Sequence, residues 1–221
     1  MMERVQNMEC LRLSGENGEI SWGGDQNWYP FLWQRRAGCG PTCAATLLFY
    51  HRQRQRSRQG MPVICSRQPL LAMMEEVWRF VTPARGGVNT LRYFSEGLRR
   101  YRDQVQLRFQ IRTLTLAQLT ADRPAWETVA DFVQTALRHD APVAFLCLDR
   151  GQEKRLDDWH WVVITALDPQ SGDIEFLDES VVKQASLRLW LSTTASRGGL
   201  AWLDFADESM LNNPDKQDYN Y

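Results

Sequence analysis

The sequence lacks a long apolar run, an excess of charge of one sign and an apolar N-terminal segment. No apolar stretch reaches the roughly 18 residues that a transmembrane helix requires. The formal net charge is −1 over 221 residues, which gives no general attraction to nucleic acid or to an acidic membrane. The first residues do not contain the apolar core of a signal peptide. We therefore expect a cytoplasmic protein, with non-classical secretion as an open alternative, and neither nucleic acid nor a membrane as partner.

Cysteine and histidine are also scarce, and their spacing argues against two kinds of site. The five cysteines are odd in number and show no repeated spacing, which disfavours a disulfide framework. Cys39 and Cys43 have a separation that a metal site can use. The three histidines stand far apart, however, and form no second pair of ligands at zinc spacing. We therefore expect no bound metal and no other cofactor.

Length and composition favour one domain. A chain of 221 residues with 43% hydrophobic residues is long enough for one substantial core. No internal repeat and no linker divides it, so we predict a single domain over 1–221. Residues 1–33 are predicted to be an irregular segment rich in aromatic side chains, and 207–221 a polar tail. The arginine-rich stretch 52–58 is interpreted as a solvated helix end, where cations complement the helix dipole.

Apolar periodicity places helices early in the chain and strands late. Helices are predicted at about 39–56, 68–81, 90–102, 124–139 and 186–194. Strands are predicted at about 105–112, 142–148, 161–167, 174–177 and 200–205. This order predicts an α+β fold, in which an N-terminal helical part packs on a C-terminal antiparallel β-sheet.

Cys39 has the sequence context of a thiolate nucleophile. Pro41 is tolerated only in the first turn of a helix, so a helix is predicted to begin near Cys39. A helix N-terminus carries a partial positive charge and free N–H groups, which favour a thiolate there. Gly38 and Gly40 are expected to allow a sharp turn and the close approach of a substrate. Cys43 lies one turn further along the helix and is interpreted as a core thiol.

Elimination among the histidines selects His160 as the base. His51 lies on the same predicted helix as Cys39, about 18 Å away along the axis, and cannot reach the thiol. His139 ends a predicted helix, where a histidine commonly interacts with the helix dipole. His160 opens the apolar strand 161–167 after a polar loop, so its imidazole is placed at the mouth of the predicted sheet.

Two further side chains complete the predicted site. Asp178 ends the strand that pairs with the His160 strand, and the hairpin returns it to the His160 end, whereas Asp168 lies at the far end. Asp178 is therefore the preferred group to orient the imidazole, subject to a strand register that the sequence does not fix. Gln34 precedes the cysteine by a short loop and is the predicted side-chain donor to an oxyanion.

These residues resemble the papain-like cysteine peptidase superfamily, and within it most closely the bacterial double-glycine leader peptidases and soluble C39-like peptidases. The first motif of that group is a glutamine followed by Cys-Gly-Pro and a small-residue helix, which Gln34 and the stretch 38–45 match. The second is a histidine that opens an apolar strand, with an aspartate after a hairpin, which His160 and Asp178 match. The resemblance implies a papain-like fold in which Cys39 is the nucleophile, His160 the general base and acid, Asp178 the orienting group and Gln34 an oxyanion donor.

The function expected from these residues is cysteine-dependent hydrolysis of a peptide or other amide bond through a thioester. The natural partner would then be a peptide or protein substrate. Glutamine deamidation and acyl transfer remain alternatives, because the same groups perform them with another substrate or acceptor. A papain-like binding module with a silent thiol is the alternative outside enzymes. The sequence predicts no oligomeric state.

Overall fold

Most helices of this protein precede most of its strands. The computed structural model describes residues 1–15 and 17–205, so the predicted tail at 207–221 lies outside the described residues. The helices are α1 (Leu32–Ala37), α2 (Cys39–Arg58), α3 (Arg67–Trp78), α4 (Leu91–Gln104), α5 (Trp126–Arg138) and α6 (Leu187–Thr193). The strands are β1 (Glu3–Arg4), β2 (Arg12–Ser14), β3 (Ile20–Trp22), β4 (Gln110–Leu116), β5 (Val143–Cys147), β6 (His160–Leu167), β7 (Asp173–Asp178), β8 (Val181–Ser186) and β9 (Gly198–Asp204).

One antiparallel sheet forms the C-terminal part of the fold. Its strands run in the order β4-β9-β5-β6-β7-β8, and β1 also pairs with β6. The last strand, β9, therefore lies between β4 and β5 and pairs with both. Every residue of β5 is buried, and every residue of β6 except His160, because α2 and α5 cover the sheet. The strands β2 and β3 form a separate hairpin near the N-terminus.

Helix α2 lies at the centre of the molecule. From Gly40 to Tyr50 every residue is buried, so the helix is apolar on all sides where it contacts α3 and β6. Pro41 occupies the first turn, as predicted, where its missing N–H costs no helical hydrogen bond. Beyond Tyr50 the helix becomes polar and ends at Arg58 in solvent. This gradient places the N-terminal end of α2 against the sheet and its last residues outside, but the predicted solvated end at 52–58 is wrong for Gln53 and Arg54, which are buried.

The predicted fold class is confirmed: helices in the N-terminal part pack on a C-terminal antiparallel sheet, with Cys39 at a helix N-terminus. The strand predicted at 105–112 is wrong in its first half, since β4 begins only at Gln110. The residues before it turn instead of extending, with Gln106 at a φ of 55°, because α4 continues to Gln104 and the chain must reverse to reach β4. Within residues 1–15 and 17–31, in the segment predicted to be irregular, the structure has three short strands and two 3-10 helices before α1.

Candidate active site

The candidate nucleophile lies at the junction of two helices. α1 ends at Ala37 and α2 begins at Cys39, with Gly38 between them as the N-cap residue. Gly38 offers no capping side chain, so the first amides of a 20-residue helix are left for other partners. Cys39 is partly exposed at this end. The helix dipole and the uncapped amides there both favour a negatively charged group.

The two glycines around Cys39 are required by packing. Gly38 has a φ of −85° and a ψ of −3°, which any residue adopts, so the expected sharp turn is not the reason for this glycine. A Cβ on Gly38 would overlap the carbonyl oxygen of Gln34 and lie 2.7 Å from the Tyr29 ring. A Cβ on Gly40 would lie 2.8 Å from the Val88 Cβ. Their small size lets the beginning of α2 pack tightly against Tyr29 and Val88.

The sheet register brings His160 and Asp178 together. Val163 on β6 is paired with Leu177 on β7. Asp178 is the next residue of β7, so strand alternation places its side chain on the same face as that of His160. The Nε2 atom of His160 lies 2.6 Å from Oδ1 of Asp178. Both side chains are largely buried, with 16% and 6% of their surface exposed.

The thiol of Cys39 is the second partner of the same imidazole. Cys39 and His160 line the same small cavity, and Cys39 is one of the groups that raise the pKa of His160. Because Asp178 engages Nε2, the other ring nitrogen, Nδ1, is the one left for the thiol. The three predicted groups therefore form a series in which the imidazole lies between sulfur and carboxylate. The helix α2 supplies the first group, and the hairpin of β6 and β7 supplies the other two.

The electrostatics of this series favour a charged imidazole. Burial on its own would lower the pKa of His160, but the hydrogen bonds to Asp178 and Cys39 outweigh it and raise this pKa to about 10. Burial would raise the pKa of Asp178, yet the contacts with His160 and Lys183 hold it below its usual value. At neutral pH the imidazole is thus a cation, and the carboxyl group stays ionised.

Lys183 is a charged neighbour that the sequence reasoning missed. Its Nζ lies 2.8 Å from Oδ2 of Asp178 and 3.1 Å from Oε2 of Glu179. Lys183 lies on β8, which was not predicted, and faces Asp178 across the β7–β8 hairpin. The sequence signal for that hairpin was weak. Its two turn residues, Glu179 and Ser180, have positive φ values, which glycine, asparagine and aspartate adopt more readily. Asp178 therefore accepts from an imidazole on one oxygen and from an ammonium group on the other.

The predicted oxyanion donor, Gln34, is not among the residues that line the two cavities described beside Cys39. Gln34 is on α1, and its Oε1 atom is buried with no hydrogen-bond partner among the described residues. Another glutamine, Gln26, lines the small cavity next to Cys39 and His160. Its Oε1 atom is likewise buried without a partner in the described ranges. Gln26 lies on a 3-10 helix that is capped by Asp25, in the segment predicted to be irregular, and for this reason the sequence reasoning did not select it.

Two cavities adjoin Cys39 on different sides. The smaller, of about 20 Å³, has room for about one water molecule. It is lined by Gly24, Gln26, Cys39, Thr42, Cys43, Thr46, His160, Trp161, Val163, Leu177, Asp178 and Glu179. The larger, of about 280 Å³, is lined by Trp33, Arg36, Ala37, Cys39, Gly86, Gly87, Val88, Asn89, Leu146, Leu148, Trp159 and Trp161. Cys39 thus lines both a small space next to His160 and a broader, mostly apolar cleft.

The remaining thiols and imidazoles are not arranged for this chemistry. Cys43 is fully buried, and burial followed by the nearby Cys39 raises the pKa of its thiol. Burial raises the pKa of Cys10 to about 11 and that of Cys147 to about 12. His51 stacks on Phe205 with ring centroids 3.2 Å apart, and burial lowers its pKa to about 3. Cys65 is exposed, so it is the thiol that competes with Cys39 for reagents.

Within residues 1–15 and 17–205, no group of three or more His, Cys, Asp or Glu side chains is placed to hold a metal ion. Over the same ranges, no helix combines the length and the apolar character of a transmembrane span.

Comparisons with known proteins give one remote structural similarity. No family model matches the chain, and no curated protein matches it. Among solved structures, the chain is similar to the crystal structure of UfSP from C. elegans, with 12% sequence identity and a TM-score of 0.48. The similarity covers 92% of this chain and 34% of the UfSP chain, so this chain spans about a third of the length of that protein. A similarity this remote assigns no role to any residue.

Proposed function

We propose that this protein is a papain-like cysteine hydrolase that cleaves a peptide or other amide bond through a thioester on Cys39. The observation that supports this most directly is the position of the His160 ring between the Cys39 thiol and Asp178, with Nε2 2.6 Å from the carboxylate. Within the superfamily we propose the bacterial C39-like peptidases as the nearest group, on the motifs around Cys39 and His160. We further propose a single domain that acts in the cytoplasm.

The reaction begins with an ion pair. His160 holds the proton of the thiol, because its raised pKa keeps the ring charged at neutral pH. The Cys39 thiolate attacks the carbonyl carbon, and the carbonyl oxygen becomes an oxyanion near the amides that begin α2. The imidazolium then donates its proton to the leaving amine, and the thioester remains. The neutral imidazole next takes a proton from water, which attacks the thioester and releases the acid.

A silent binding module would have no need of this arrangement. Asp178 orients His160 through Nε2 and keeps Nδ1 directed at the thiol, which a purely structural histidine does not require. Deamidation and acyl transfer use the same groups, and they differ only in the amide that is attacked or in the acceptor that resolves the thioester.

The proposal is tested by trapping the thioester. The protein is mixed with a pool of peptides and quenched in acid within milliseconds to seconds, and the labelled residue is located by peptide mapping with mass spectrometry. We expect acyl adducts on Cys39. Cys65→Ser is the matched control, because it removes an exposed thiol that can react without catalysis. An adduct that disappears in Cys65→Ser, or no adduct together with no peptide cleavage, would refute a hydrolase based on Cys39.

The oxyanion donor is tested by comparing two glutamines. We propose that the Gln26 amide, which lines the cavity beside Cys39, binds the oxyanion, while the predicted role of Gln34 remains the competing hypothesis. Loss of one oxyanion donor typically reduces kcat by about 10²-fold or more. We therefore expect a loss of about 10²-fold in Gln26→Ala and a much smaller one in Gln34→Ala, measured as kcat for an acyl-aminocoumarin peptide. A larger loss in Gln34→Ala would return the role to the residue that the sequence motif indicates.

A further inference from the structure

Large apolar side chains are exposed on both sides of the cleft beside Cys39. Three of them are consecutive at the start of α1, where Phe31, Leu32 and Trp33 are 70%, 57% and 53% exposed. Trp159, which lines the same cavity as Trp33, is 59% exposed. Single exposed apolar residues are common on soluble proteins, but a contiguous group at a cleft mouth marks a binding surface.

The backbone holds Trp159 in an uncommon conformation. Its φ is 56°, in the left-handed region that bulky residues rarely adopt. Trp159 directly precedes His160, so the same turn that presents the indole to the cleft delivers the imidazole to Cys39. Strain of this kind is retained where the surrounding structure requires that geometry. The position of this tryptophan is thus tied to the site.

Arg36 is the one charged side chain among the residues that line the larger cavity. It lies on α1 and is exposed, and within the described ranges its guanidinium has no ion pair and no hydrogen bond. Other arginines of this protein are strongly engaged: Arg123, for example, donates four hydrogen bonds to backbone carbonyl groups. An uncommitted guanidinium on the wall of an apolar cleft, next to a nucleophile, is a site for a carboxylate.

We infer that the cleft beside Cys39 binds a polypeptide segment in which a carboxylate lies next to a large apolar side chain. Arg36 pairs with the carboxylate, and Trp33 and Trp159 cover the apolar side chain. The inference rests on the proposed function for the cleavage step, and it adds the class of substrate. The single unpaired charge of the cavity lining is positive, so the cleft selects against basic segments as well as for acidic ones.

The first test compares cleavage of matched peptides. Internally quenched peptides carry phenylalanine at a fixed position, and either glutamate or glutamine at each neighbouring position in turn. A charge-assisted contact at a partly exposed site gives about a tenfold preference, so one glutamate position is expected to raise kcat/KM about tenfold. Arg36→Gln is expected to abolish this preference. Arg35→Gln, which changes an exposed arginine of the same helix that does not line the cavity, is expected to keep it.

The second test needs no peptidase activity. Cys39 is alkylated with iodoacetate, which is anionic, and with iodoacetamide, which is neutral, in a Cys65→Ser background. Arg36→Gln is expected to lower the ratio of the two rates about threefold at low ionic strength, with the difference shrinking in high salt, while Arg35→Gln leaves the ratio nearly unchanged.

The two tests separate this inference from the proposed function. A rate ratio that is the same in wild type and Arg36→Gln overturns the carboxylate site, whether or not peptides are cleaved. A glutamate preference that survives Arg36→Gln also overturns it. A ratio that falls in Arg36→Gln, in a protein that cleaves no peptide, supports the carboxylate site and contradicts the hydrolase. Equal binding of an acidic peptide and a single-stranded oligonucleotide of the same charge to the Cys39→Ala variant would refute a cleft built for polypeptide.

Discussion

Replacing His160 with alanine is expected to lower kcat/KM for an amide substrate by about 10⁴-fold. In the proposed mechanism the imidazole has two tasks: it holds the proton of Cys39 before attack, and it gives a proton to the leaving amine afterwards. The measurement is the hydrolysis of a peptide that the wild type cleaves, at saturating and limiting concentrations. His139→Ala is the control, because this histidine lies at the end of α5, where it contacts Asp204 and Trp202. A His160→Ala variant that retains a tenth of the activity would contradict the proposed mechanism.

The pH dependence of the same hydrolysis tests whether Asp178 sets the charge of His160. In wild type, His160 is charged until the pH reaches its pKa of about 10, so activity that depends on the imidazolium is lost on the alkaline side near that value. Asp178→Asn removes the strongest of the contacts that raise this pKa, so we expect the alkaline limb to move toward the ordinary histidine value of 6.5. An alkaline limb that does not move would show that Asp178 does not set the charge of His160.

The raised pKa of His160 also predicts that the free energy of unfolding depends on pH. The pKa of His160 is higher in the folded protein than the 6.5 of an unfolded chain. Its charge therefore stabilises the fold fully below pH 6.5, and this contribution is lost as the pH rises through about 10. Urea unfolding at pH 6 and at pH 10 measures how much of the free energy of unfolding is lost between these two values. We expect a smaller pH-dependent loss in Asp178→Asn.

Asp140→Ala is expected to lower the free energy of unfolding by about 3 to 5 kcal/mol. Asp140 is 4% exposed, and its Oδ1 accepts from the Tyr50 hydroxyl at 2.5 Å and from the backbone N–H of Gln6 at 2.7 Å. Its Oδ2 lies 3.8 Å from the guanidinium of Arg54, which is itself buried. Removing the carboxylate leaves a buried cation and two donors without this acceptor. The residue also has a φ of 53°, which alanine tolerates less well than aspartate.

Urea unfolding monitored by tryptophan fluorescence measures this effect, and the melting temperature is expected to fall by roughly 6 to 20 °C. Asp140→Asn keeps an acceptor and the tolerance of a left-handed backbone, so its loss is expected to be well below that of alanine. Asp131→Ala removes an exposed carboxylate from α5 and is expected to change stability by less than about 0.5 kcal/mol. Equal losses in Asp140→Ala and Asp131→Ala would contradict a structural role for the buried cluster.

The sequence predicted those parts of the fold in which local pattern and packing agree. The long apolar stretch after Pro41 predicted α2, and the apolar runs around 142–148 and 161–167 predicted β5 and β6, because a buried element shows its burial in composition. The strands β1, β2, β3 and β8 were missed. β8 is mostly exposed, and the other three have only two or three residues each, so none carries an apolar signature. Such strands form because the neighbouring strand offers an edge.

The candidate site was predicted to a similar extent and for related reasons. Cys39 and His160 each open an element whose apolar pattern is strong, so their positions in the fold followed from the elements. The pairing of Asp178 with His160 depended on the strand register, which the hairpin suggested. In the structure, Nε2 of His160 lies 2.6 Å from Oδ1 of Asp178. Lys183 and Gln26 were out of reach, because their proximity arises from an unpredicted strand and a 3-10 helix in a segment without periodicity. Arg36 was out of reach as well, since nothing in its sequence context distinguishes it from Arg35.

The position of β9 has a consequence for the order of events during synthesis. This strand joins β4 to β5, yet it follows both of them, and also β6, β7 and β8, in the order of synthesis. Until β9 pairs with them, β4 lacks this partner strand and β5 has an open edge. The part of the sheet that carries His160 is then incomplete, because His160 pairs with Cys147 of β5. We therefore expect a nascent chain to complete the candidate site only after β9 has been translated. Such an order of assembly would keep the proposed hydrolase inactive toward neighbouring nascent chains until its own sheet is complete.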